Sequence, residues 1–404
     1  MRVEDARSLR LSSGDDRARA GRIVAATACT LLAAFALQLV AYRHGGHGAL
    51  SDLPRVLLHR GIRPGSLPYV DRPIEYPVGA GALLYLAVLL APSPFGVLAV
   101  TAMASAVICV AVAIHLGRRC GPRAWRWALA PPLILYAFQN WDVFAIGAMV
   151  GGLLAYERGH DRLAGSLIGV GAAVKLFPAV VLPPLIARRW ARGDRRGAAR
   201  VAAAAALSFA ALNLPVLVAS PHGWAWPFTF QSRRPATWGT AWLYLYQALG
   251  LPLRGASSAH LANVVSLLAL GGGVAWLTVR TVRQQLDPAA SAAAAVAIFI
   301  LSNKVYSPTY DIWLVVFFAL LPLSRGLWIS FCGVDLAIFV TVYGYFRGFE
   351  SRASLTAVLP LLVLVRTVVL FKFVADVTRH SKVRARAAPR APLTSRSHGG
   401  LIGW

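Results

Sequence analysis

Long runs of apolar residues, separated by short polar segments, fill most of the chain between residues 23 and 375. The first run, residues 23–42, is long enough to cross a hydrocarbon core of about 30 Å as a helix. The later runs cover residues 78–91, 94–117, 124–138, 143–156, 163–187, 200–219, 241–251, 261–280, 290–302, 311–323, 327–345 and 353–375. Several are shorter than a full span, which predicts that some helices are broken or re-entrant. We expect about 10 to 12 crossings.

The composition agrees with a membrane protein. The 404 residues are 57% hydrophobic and only 14% charged, with a mean hydropathy of +0.59, whereas a soluble domain carries about 25% charged residues. The apolar runs are continuous and lack two-residue alternation, which disfavours a β-barrel. The predicted fold class is therefore an all-α, polytopic transmembrane helical bundle.

Positive charge gives an orientation. The net charge is +25, but the arginines lie mostly between apolar runs, as the positive-inside rule describes for cytoplasmic loops, so nucleic-acid binding is not expected. Both chain ends and the basic loop 187–200 are predicted to be cytoplasmic. Loops 43–77, 220–240 and 303–310 then lie on the outer side. The Ala- and Arg-rich composition suits a bacterial plasma membrane.

Two further basic loops leave the middle of the chain open. Residues 117–126 and 157–162 also have a cytoplasmic composition. Placing them there requires either an odd number of crossings between 78 and 117 or a hairpin within 163–187. The sequence does not choose between these alternatives.

The chain divides by composition into three parts. Residues 1–22 and 376–404 are predicted to be disordered basic tails, because neither has the apolar content to fold alone. Residues 23–375 form the membrane domain. No phosphate-binding glycine loop, no nucleophile elbow and no His/Cys metal cluster is present in the sequence, which disfavours ATP hydrolysis and serine hydrolysis.

The first outer loop carries three acids near the end of a membrane helix: Asp52, Asp71 and Glu75. A carboxylate at a membrane surface can act as a general base. The alternative is that these acids are solvated, or are structural partners of Arg55, Arg60 and Arg72, with Arg72 pairing with Glu75. They could also hold a divalent cation, although their spacing matches no known metal motif.

The segment after Asp52 can form a short amphipathic helix. Leu53, Leu57 and Leu58 share one side, so this helix is expected to lie flat on the membrane. If Asp52 has no catalytic role, its expected role is to cap the N-terminus of this helix. Several prolines stiffen the rest of the loop, and Tyr76 suits the interfacial aromatic belt.

Four cations are candidate phosphate ligands. Lys175 interrupts an apolar run, which marks it as a functional candidate, with snorkelling to the interface as the alternative. Lys304, Arg233 and Arg234 lie on the predicted outer side, against the positive-inside trend. A departing phosphate needs fixed cations of this kind. The aromatic residues around 224–238 suit sugar stacking, a prenyl-chain groove or an interfacial belt equally well.

Two acids lie near or within membrane segments. Asp142 forms a small polar cluster with Gln139 and Asn140 and is the stronger candidate. Asp335 is expected to pair with a buried arginine or tyrosine.

The order of short motifs along the chain resembles a known family. "SD" at 51–52 is followed by "EYP" at 75–77, "NWD" at 140–142, "GAAVKLFP" at 171–178 and "NKVYSPTYDIWL" at 303–314. Over residues 23–375 the chain resembles the polyprenyl-phosphate-sugar-dependent glycosyltransferases of family 87, membrane enzymes with the C-type glycosyltransferase fold.

The resemblance implies a function. It implies transfer of a hexose, expected to be α-linked mannose, from a polyprenyl phosphate to a glycolipid or cell-envelope glycan. Asp52 would be the general base, and membrane lipids would surround the protein. Val78 replaces a proline usual in the family. Loop 303–310 lacks the histidine that assists in related enzymes, so that role is either empty or taken by Tyr306, Tyr310 or Asp311. The lipid-linked donor is the expected co-substrate, and the resemblance implies no further cofactor besides the divalent cation that the loop acids could hold. The alternative is a lipid or glycan transporter without transferase activity.

Overall fold

The chain forms helices joined by short turns. The computed structural model describes residues 3–45, 50–346 and 352–387. Its α-helices are α1 Val3–Gly45, α2 Asp52–Arg60, α3 Val78–Leu90, α4 Pro94–Cys120, α5 Trp125–Ala128, α6 Pro131–Tyr136, α7 Asp142–Glu157, α8 Asp161–Val174, α9 Leu182–Ala191, α10 Arg195–Ala219, α11 Pro221–Ser232, α12 Ala241–Ala248, α13 Gly255–Gln284, α14 Pro288–Ser302, α15 Ile312–Leu320, α16 Arg325–Phe346 and α17 Arg352–Ala387. Short 3-10 helices cover Gly121–Ala124, Phe177–Val181 and Pro308–Asp311.

Six helices of the described chain are long and apolar enough to span a membrane. They are Arg17–His44, Pro94–Ala128, Arg195–Ala219, Gly255–Gln284, Arg325–Tyr345 and Leu355–Arg379. Large apolar side chains on their outer faces are exposed, such as Leu207 at 70%, Leu268 at 71% and Phe371 at 62%. This surface suits lipid rather than water. The predicted all-α polytopic fold is confirmed, and the remaining apolar runs form shorter or broken helices.

The loops gather at two opposite ends of the bundle. We call the described residues of 43–77, 220–240 and 303–310 the loop end. There a Cβ on Gly223 would lie 1.7 Å from the carbonyl oxygen of Tyr69, and the Thr237 N–H donates to the carbonyl of Lys304 at 2.9 Å.

The opposite end, which we call the basic end, holds residues 117–126, 157–162 and 187–200. Arg119 pairs with Glu157, and Arg189 pairs with Asp161 at 3.0 Å. The structure thus groups the loops as the charge pattern predicted. Which end faces the cytoplasm stays a prediction.

The middle of the chain uses both arrangements that the sequence left open. Helix α4 is one full crossing, from Phe95, whose ring lies 5.7 Å from that of Tyr42, to Arg119 at the basic end. Residues 163–187 form a hairpin. Helix α8 rises from the basic end to Lys175, the 3-10 turn containing Pro178 reverses the chain, and α9 returns to pair Arg189 with Asp161.

Three such hairpins turn inside the loop half of the bundle. They are α6/α7, turning at 137–141; α8/α9, turning at 175–181; and α14/α15, turning at 303–311. Proline favours these reversals because it cannot continue the preceding helix. Pro178 and Pro308 each lie in the first turn of a 3-10 helix. The hairpin tips bring polar residues into an otherwise apolar interior.

Close backbone contact holds the second hairpin against α10. A Cβ on Gly165 would lie 2.2 Å from the carbonyl oxygen of Val201, and one on Gly169 would lie 2.2 Å from the Ser208 hydroxyl oxygen. Small residues allow this approach, as is usual in membrane helix pairs. The α14/α15 hairpin is almost wholly buried in the centre of the bundle.

The short helix of the first loop differs in two respects from its prediction. Its cap is Ser51, whose hydroxyl accepts the N–H of Leu53, so Asp52 is not the cap. The buried side consists of Leu53, Val56 and Leu57, whereas Leu58 is 48% exposed. Because this side packs into the bundle, the helix is part of the folded core rather than an independent surface helix.

Helices extend into both segments that the sequence predicts to be disordered tails. Helix α1 begins at Val3 and α17 ends at Ala387, so helical structure continues across the borders at residues 22 and 375. The remainder of the predicted C-terminal tail, and residues 46–49 of the first loop, lie outside the described residues. The division into tails and membrane domain stays a prediction.

Candidate active site

A buried ion pair joins the tips of the first two hairpins. Asp142 is the first residue of α7, and Lys175 directly follows α8. The Lys175 ammonium lies 3.1 Å from a carboxylate oxygen of Asp142, which is fully buried. The Asn140 side chain accepts the backbone N–H of Asp142 at 2.9 Å and shapes the turn. Lys175 is only 12% exposed, so it does not snorkel freely to an interface.

The first loop is fastened onto the first hairpin. The backbone N–H of Asp52 donates to the carbonyl of Gln139 at 2.8 Å, and the Ser51 hydroxyl donates to the same carbonyl at 3.1 Å. These bonds satisfy buried backbone groups that a helix N-terminus and a turn would otherwise leave unpaired. They fix Asp52 directly above the hairpin tip.

The Asp52 carboxylate has two partners and an open side. Arg55, one helical turn along α2, pairs with one oxygen, and the Tyr76 hydroxyl donates to the other. The side chain of Asp52 is 27% exposed. Both oxygens are thus oriented by neighbours, while solvent can still reach the group.

Tyr76 connects Asp52 to the buried ion pair. Its ring packs edge-on against Trp141 with the centroids 4.9 Å apart, and the Lys175 ammonium lies 5.1 Å from the Tyr76 centroid. Burial, and then the Asp52 carboxylate, raise the pKa of Tyr76 well above its usual value, so the hydroxyl stays protonated as a donor. The groups form a continuous chain from Asp142 through Lys175 and Tyr76 to Asp52.

The third hairpin completes this cluster. Burial raises the pKa of Tyr310, and the charges of Lys175, Asp142, Arg234 and Asp52 lie near enough to influence that pKa as well. The Tyr310 ring stacks on Trp313 at 4.2 Å, and Trp313 stacks on Phe177 of the second hairpin at 4.0 Å. Such a site offers a solvent-accessible carboxylate that can accept a proton and nearby cations that can face an anion.

A family comparison decides the class of protein. The model of glycosyltransferase family 87 matches residues 75–303, which is more than half of the chain. The protein belongs to glycosyltransferase family 87. A search of curated proteins found no match. The matched region includes Tyr76, Asp142 and Lys175, whereas Asp52 and Tyr310 lie outside it.

Two predicted loop acids of the glycosyltransferase lie outside the cluster. Glu75 pairs with Arg60, with the Arg60 Nε 2.9 Å from a Glu75 oxygen. The specific Arg72–Glu75 pair was therefore wrong, whereas Arg60 was among the arginines expected as partners of the loop acids. Asp71 is exposed, and its carboxylate accepts the backbone N–H of Leu67 at 2.7 Å. Both carboxylates hold the shape of the loop.

Lys304 also binds backbone rather than an open cavity. Its ammonium donates to the carbonyl of Ser232 at 3.2 Å and to that of Arg234, at the end of α11. Burial, and then the charge of Arg234, lower the pKa of Lys304 to about 8. Lys304 therefore fastens the 220–240 segment to the third hairpin, which uses two of its three donors.

The two predicted arginines differ in position. Arg233 is exposed at the C-terminal end of α11. Arg234 is half-buried, contacts the Gln231 side chain at 3.3 Å, and acts electrostatically on both Tyr310 and Lys304. Arg234 is thus the better placed of the two for an anion above the cluster.

Asp311 belongs to a second, sealed acidic centre. Asp311 accepts from Tyr306 at 2.8 Å, and Asp335 accepts from Tyr136 at 2.8 Å. Both aspartates are fully buried. Of the two partners expected for Asp335, a buried arginine or a tyrosine, the structure shows the tyrosine, Tyr136. The buried Arg366 donates to the carbonyl of Gly239 at 2.6 Å and lies over the Tyr306 ring.

Sequence reasoning assigned no site role to Trp141 and Tyr343. Arg55 was expected only as a possible structural partner of the loop acids, and it does pair with Asp52, three residues before it on the same helix. Tyr343 donates to the Gln139 side chain at 3.2 Å across a sequence separation that no local pattern reveals. Within the described residues, no group of three or more His, Cys, Asp or Glu side chains is arranged to hold a metal ion.

Proposed function

We propose that this glycosyltransferase moves a hexose, mannose in α-linkage being the first expectation, from a polyprenyl phosphate to a glycolipid or cell-envelope glycan. The reaction would take place at the outer face of a bacterial plasma membrane. The observation that supports this best is the position of Asp52. Its carboxylate is oriented by Arg55 and Tyr76 and is open to solvent. Through Tyr76 it is connected to the buried ammonium of Lys175.

The proposed reaction is a single displacement. The acceptor hydroxyl attacks the anomeric carbon while an Asp52 oxygen takes its proton. The bond between the anomeric carbon and the phosphate oxygen breaks, and its electron pair leaves with the polyprenyl phosphate. Such a step inverts the anomeric centre, because nucleophile and leaving group occupy opposite faces. The Tyr76 hydroxyl and Arg55 hold the carboxylate in position for the acceptor.

The leaving phosphate needs positive charge. We assign Arg234 to this role, with Arg233 at the exposed rim, since both lie at the loop end and Arg234 acts on Tyr310 above the ion pair. Lys175 contributes from below, but its charge is balanced by Asp142. Lys304 supports the same segment indirectly by holding the carbonyl of Arg234.

We assign the isoprenoid chain to the aromatic segment 224–238. Trp224 and Phe228 lie together there with ring centroids 5.3 Å apart, and Phe228 is 37% exposed. Gly223 at the start of this segment touches the first loop at Tyr69. A lipid lying along this surface would bring its phosphate towards Arg234.

The decisive experiment is sugar transfer by purified protein. Radiolabelled polyprenyl-phosphate-mannose is mixed with a lipid extract as acceptor, beside parallel reactions with polyprenyl-phosphate glucose, polyprenyl-phosphate arabinose and a nucleotide-linked mannose. We expect transfer from a polyprenyl-phosphate donor only. Transfer from the nucleotide sugar, or no transfer from any polyprenyl donor, would contradict the proposal.

A further inference from the structure

A basic cavity lies at the end of the bundle opposite to the proposed active site. It has a volume of about 460 Å³ and lies between the C-terminal turns of α4 and the end of α7. Its lining residues are Ala111, Ile114, His115, Arg118, Arg119 and Arg158. Nothing in the proposed transfer reaction uses this cavity.

The cavity carries more positive charge than its surroundings neutralise. Arg119 is paired with Glu157. Within the described part of the chain, the side chains of Arg118 and Arg158 form no hydrogen bond or ion pair. The Nε2 atom of His115 is buried and has no hydrogen-bond partner there either. Two guanidinium groups and an imidazole nitrogen are therefore available to one ligand, and guanidinium groups match phosphate oxygens in geometry.

An apolar stripe on α4 leads directly to these arginines. Met103 and Val107 are each 66% exposed, and Ile114 is 36% exposed. With Ala111 they follow a helical spacing that continues to Arg118, so all five lie on one face of the helix. The stripe belongs to the candidate membrane span Pro94–Ala128. An acyl chain could follow it along the full length of the apolar part.

We propose that this cavity binds the phosphate head group of an anionic membrane lipid, with an acyl chain of that lipid along the α4 stripe. Charge complementarity favours a phosphate, and the continuous apolar stripe favours a lipid over a free anion. Unpaired arginines at a membrane interface attract anionic head groups in this way. The site is independent of the transferase reaction.

The test measures lipid retention by the full-length protein in detergent. Native mass spectrometry counts bound lipid after addition of phosphatidylglycerol or phosphatidylcholine, and thermal unfolding is followed in the same mixtures. We expect preferential retention of phosphatidylglycerol. The double variant R118Q/R158Q should bind it about thirtyfold more weakly. The variant Ala111→Trp, which blocks the cavity without changing charge, should also lose lipid.

The matched control is the double variant R162Q/R196Q. It removes two exposed arginines of the basic end that do not line the cavity. This control should retain phosphatidylglycerol within about twofold of the wild type. Equal loss in both double variants, or equal retention of the two lipids by the wild type, would overturn the proposal. Stabilisation by inorganic phosphate alone, matching that of phosphatidylglycerol and lost in R118Q/R158Q, would replace the lipid with a free anion. Size-exclusion profiles report whether each variant is folded.

Discussion

Two carboxylate centres lie in the loop half of this bundle, and they differ in access to solvent. Asp52 is 27% exposed and is bound by Arg55 and Tyr76. Asp311 and Asp335 are fully buried, and each accepts from a tyrosine. A tyrosine hydroxyl donates to a carboxylate in both centres, so that partner alone does not distinguish catalysis from structure. Arg55 pairs with Asp52, whereas within the described residues no arginine forms an ion pair with Asp311 or Asp335.

Access to solvent separates the roles that we propose for the two centres. A general base must reach the hydroxyl of an incoming acceptor and later release its proton. Asp52 meets that requirement because the first loop holds it at the mouth of the hairpin cluster. The sealed pair has no open side, so its polar groups serve to join the first and third hairpins to α16. The predicted role of Asp311 as a substitute for the missing histidine therefore lacks geometric support.

The strongest test of this comparison is Asp52→Asn. The amide keeps the size of the side chain but cannot take up the acceptor proton, so we expect transfer to fall about 10²- to 10⁴-fold. Thermal unfolding should change little. Asp71→Asn is the matched control, since it alters an exposed acid of the same loop. Near-normal turnover in Asp52→Asn would remove Asp52 as the base.

Replacing Lys175 tests the buried ion pair. Lys175→Met leaves the fully buried Asp142 without its charge partner, which should destabilise the protein by about 3–5 kcal/mol. The double variant D142N/K175M should recover most of this loss. Lys372→Met, which breaks an exposed pair with Asp376 on one helix, should cost about 0.5 kcal/mol or less. Equal stability of both single variants in thermal unfolding would show that the pair contributes nothing.

Asp311→Ala probes the sealed centre directly. The Tyr306 hydroxyl loses its buried acceptor, so we expect a loss of about 2 kcal/mol in stability. Turnover per folded molecule should stay within about threefold of the wild type, since no reacting group is removed. If the folded variant instead loses activity as severely as Asp52→Asn, Asp311 takes part in catalysis, and access to solvent does not distinguish the two centres.

Tyr76→Phe gives a smaller effect because it keeps the ring. The variant loses the hydrogen bond to Asp52 but retains the contacts with Trp141 and Lys175. Because a charge-assisted bond of this kind is lost, we expect kcat to fall about tenfold while KM changes little. Tyr76→Leu, which also removes the aromatic contacts, should add a loss of stability. A kcat unchanged in Tyr76→Phe would leave Arg55 as the group that orients Asp52.

Lys304 provides the smallest and most specific test, through pH. In the folded protein its pKa is lowered to about 8, whereas an unfolded lysine holds its proton to about pH 10.4. Between these values the unfolded state binds more protons, so the contribution of Lys304 to stability rises with pH. Relative to Lys304→Met, the wild type should gain about 2 °C in unfolding temperature between neutral pH and pH 9.5. A relative loss over that range would mean that the buried site prefers the ammonium form.

Much of the fold could be predicted from the sequence. Membrane character follows from the scarcity of charge, and the grouping of loops at two ends follows from the placement of arginines. Both depend on transfer free energies between lipid and water, which act on each residue locally. The same reasoning selected Lys175 and Asp142, because an ionisable group at membrane depth is costly unless it has a partner. Asp52 was singled out among the outer-loop acids by the family resemblance.

The sequence could not assign the partners. Glu75 pairs with Arg60 rather than with Arg72. Lys304 donates to two backbone carbonyls, and Ser51 rather than Asp52 caps the N-terminus of α2. In each case several groups of the right chemistry were near in sequence, and their distances in space depended on how the chain turned.

The sequence by itself determined an apolar helical bundle with acids, lysines and tyrosines concentrated at one end. The tertiary structure alone decided that Asp52 is open while Asp311 and Asp335 are sealed, and that Lys175 meets Asp142. These outcomes depend on three hairpins that turn within the bundle and bring residues far apart in the chain into contact. Local propensities fix where a helix ends, but only packing among distant helices fixes which polar group remains reachable from outside.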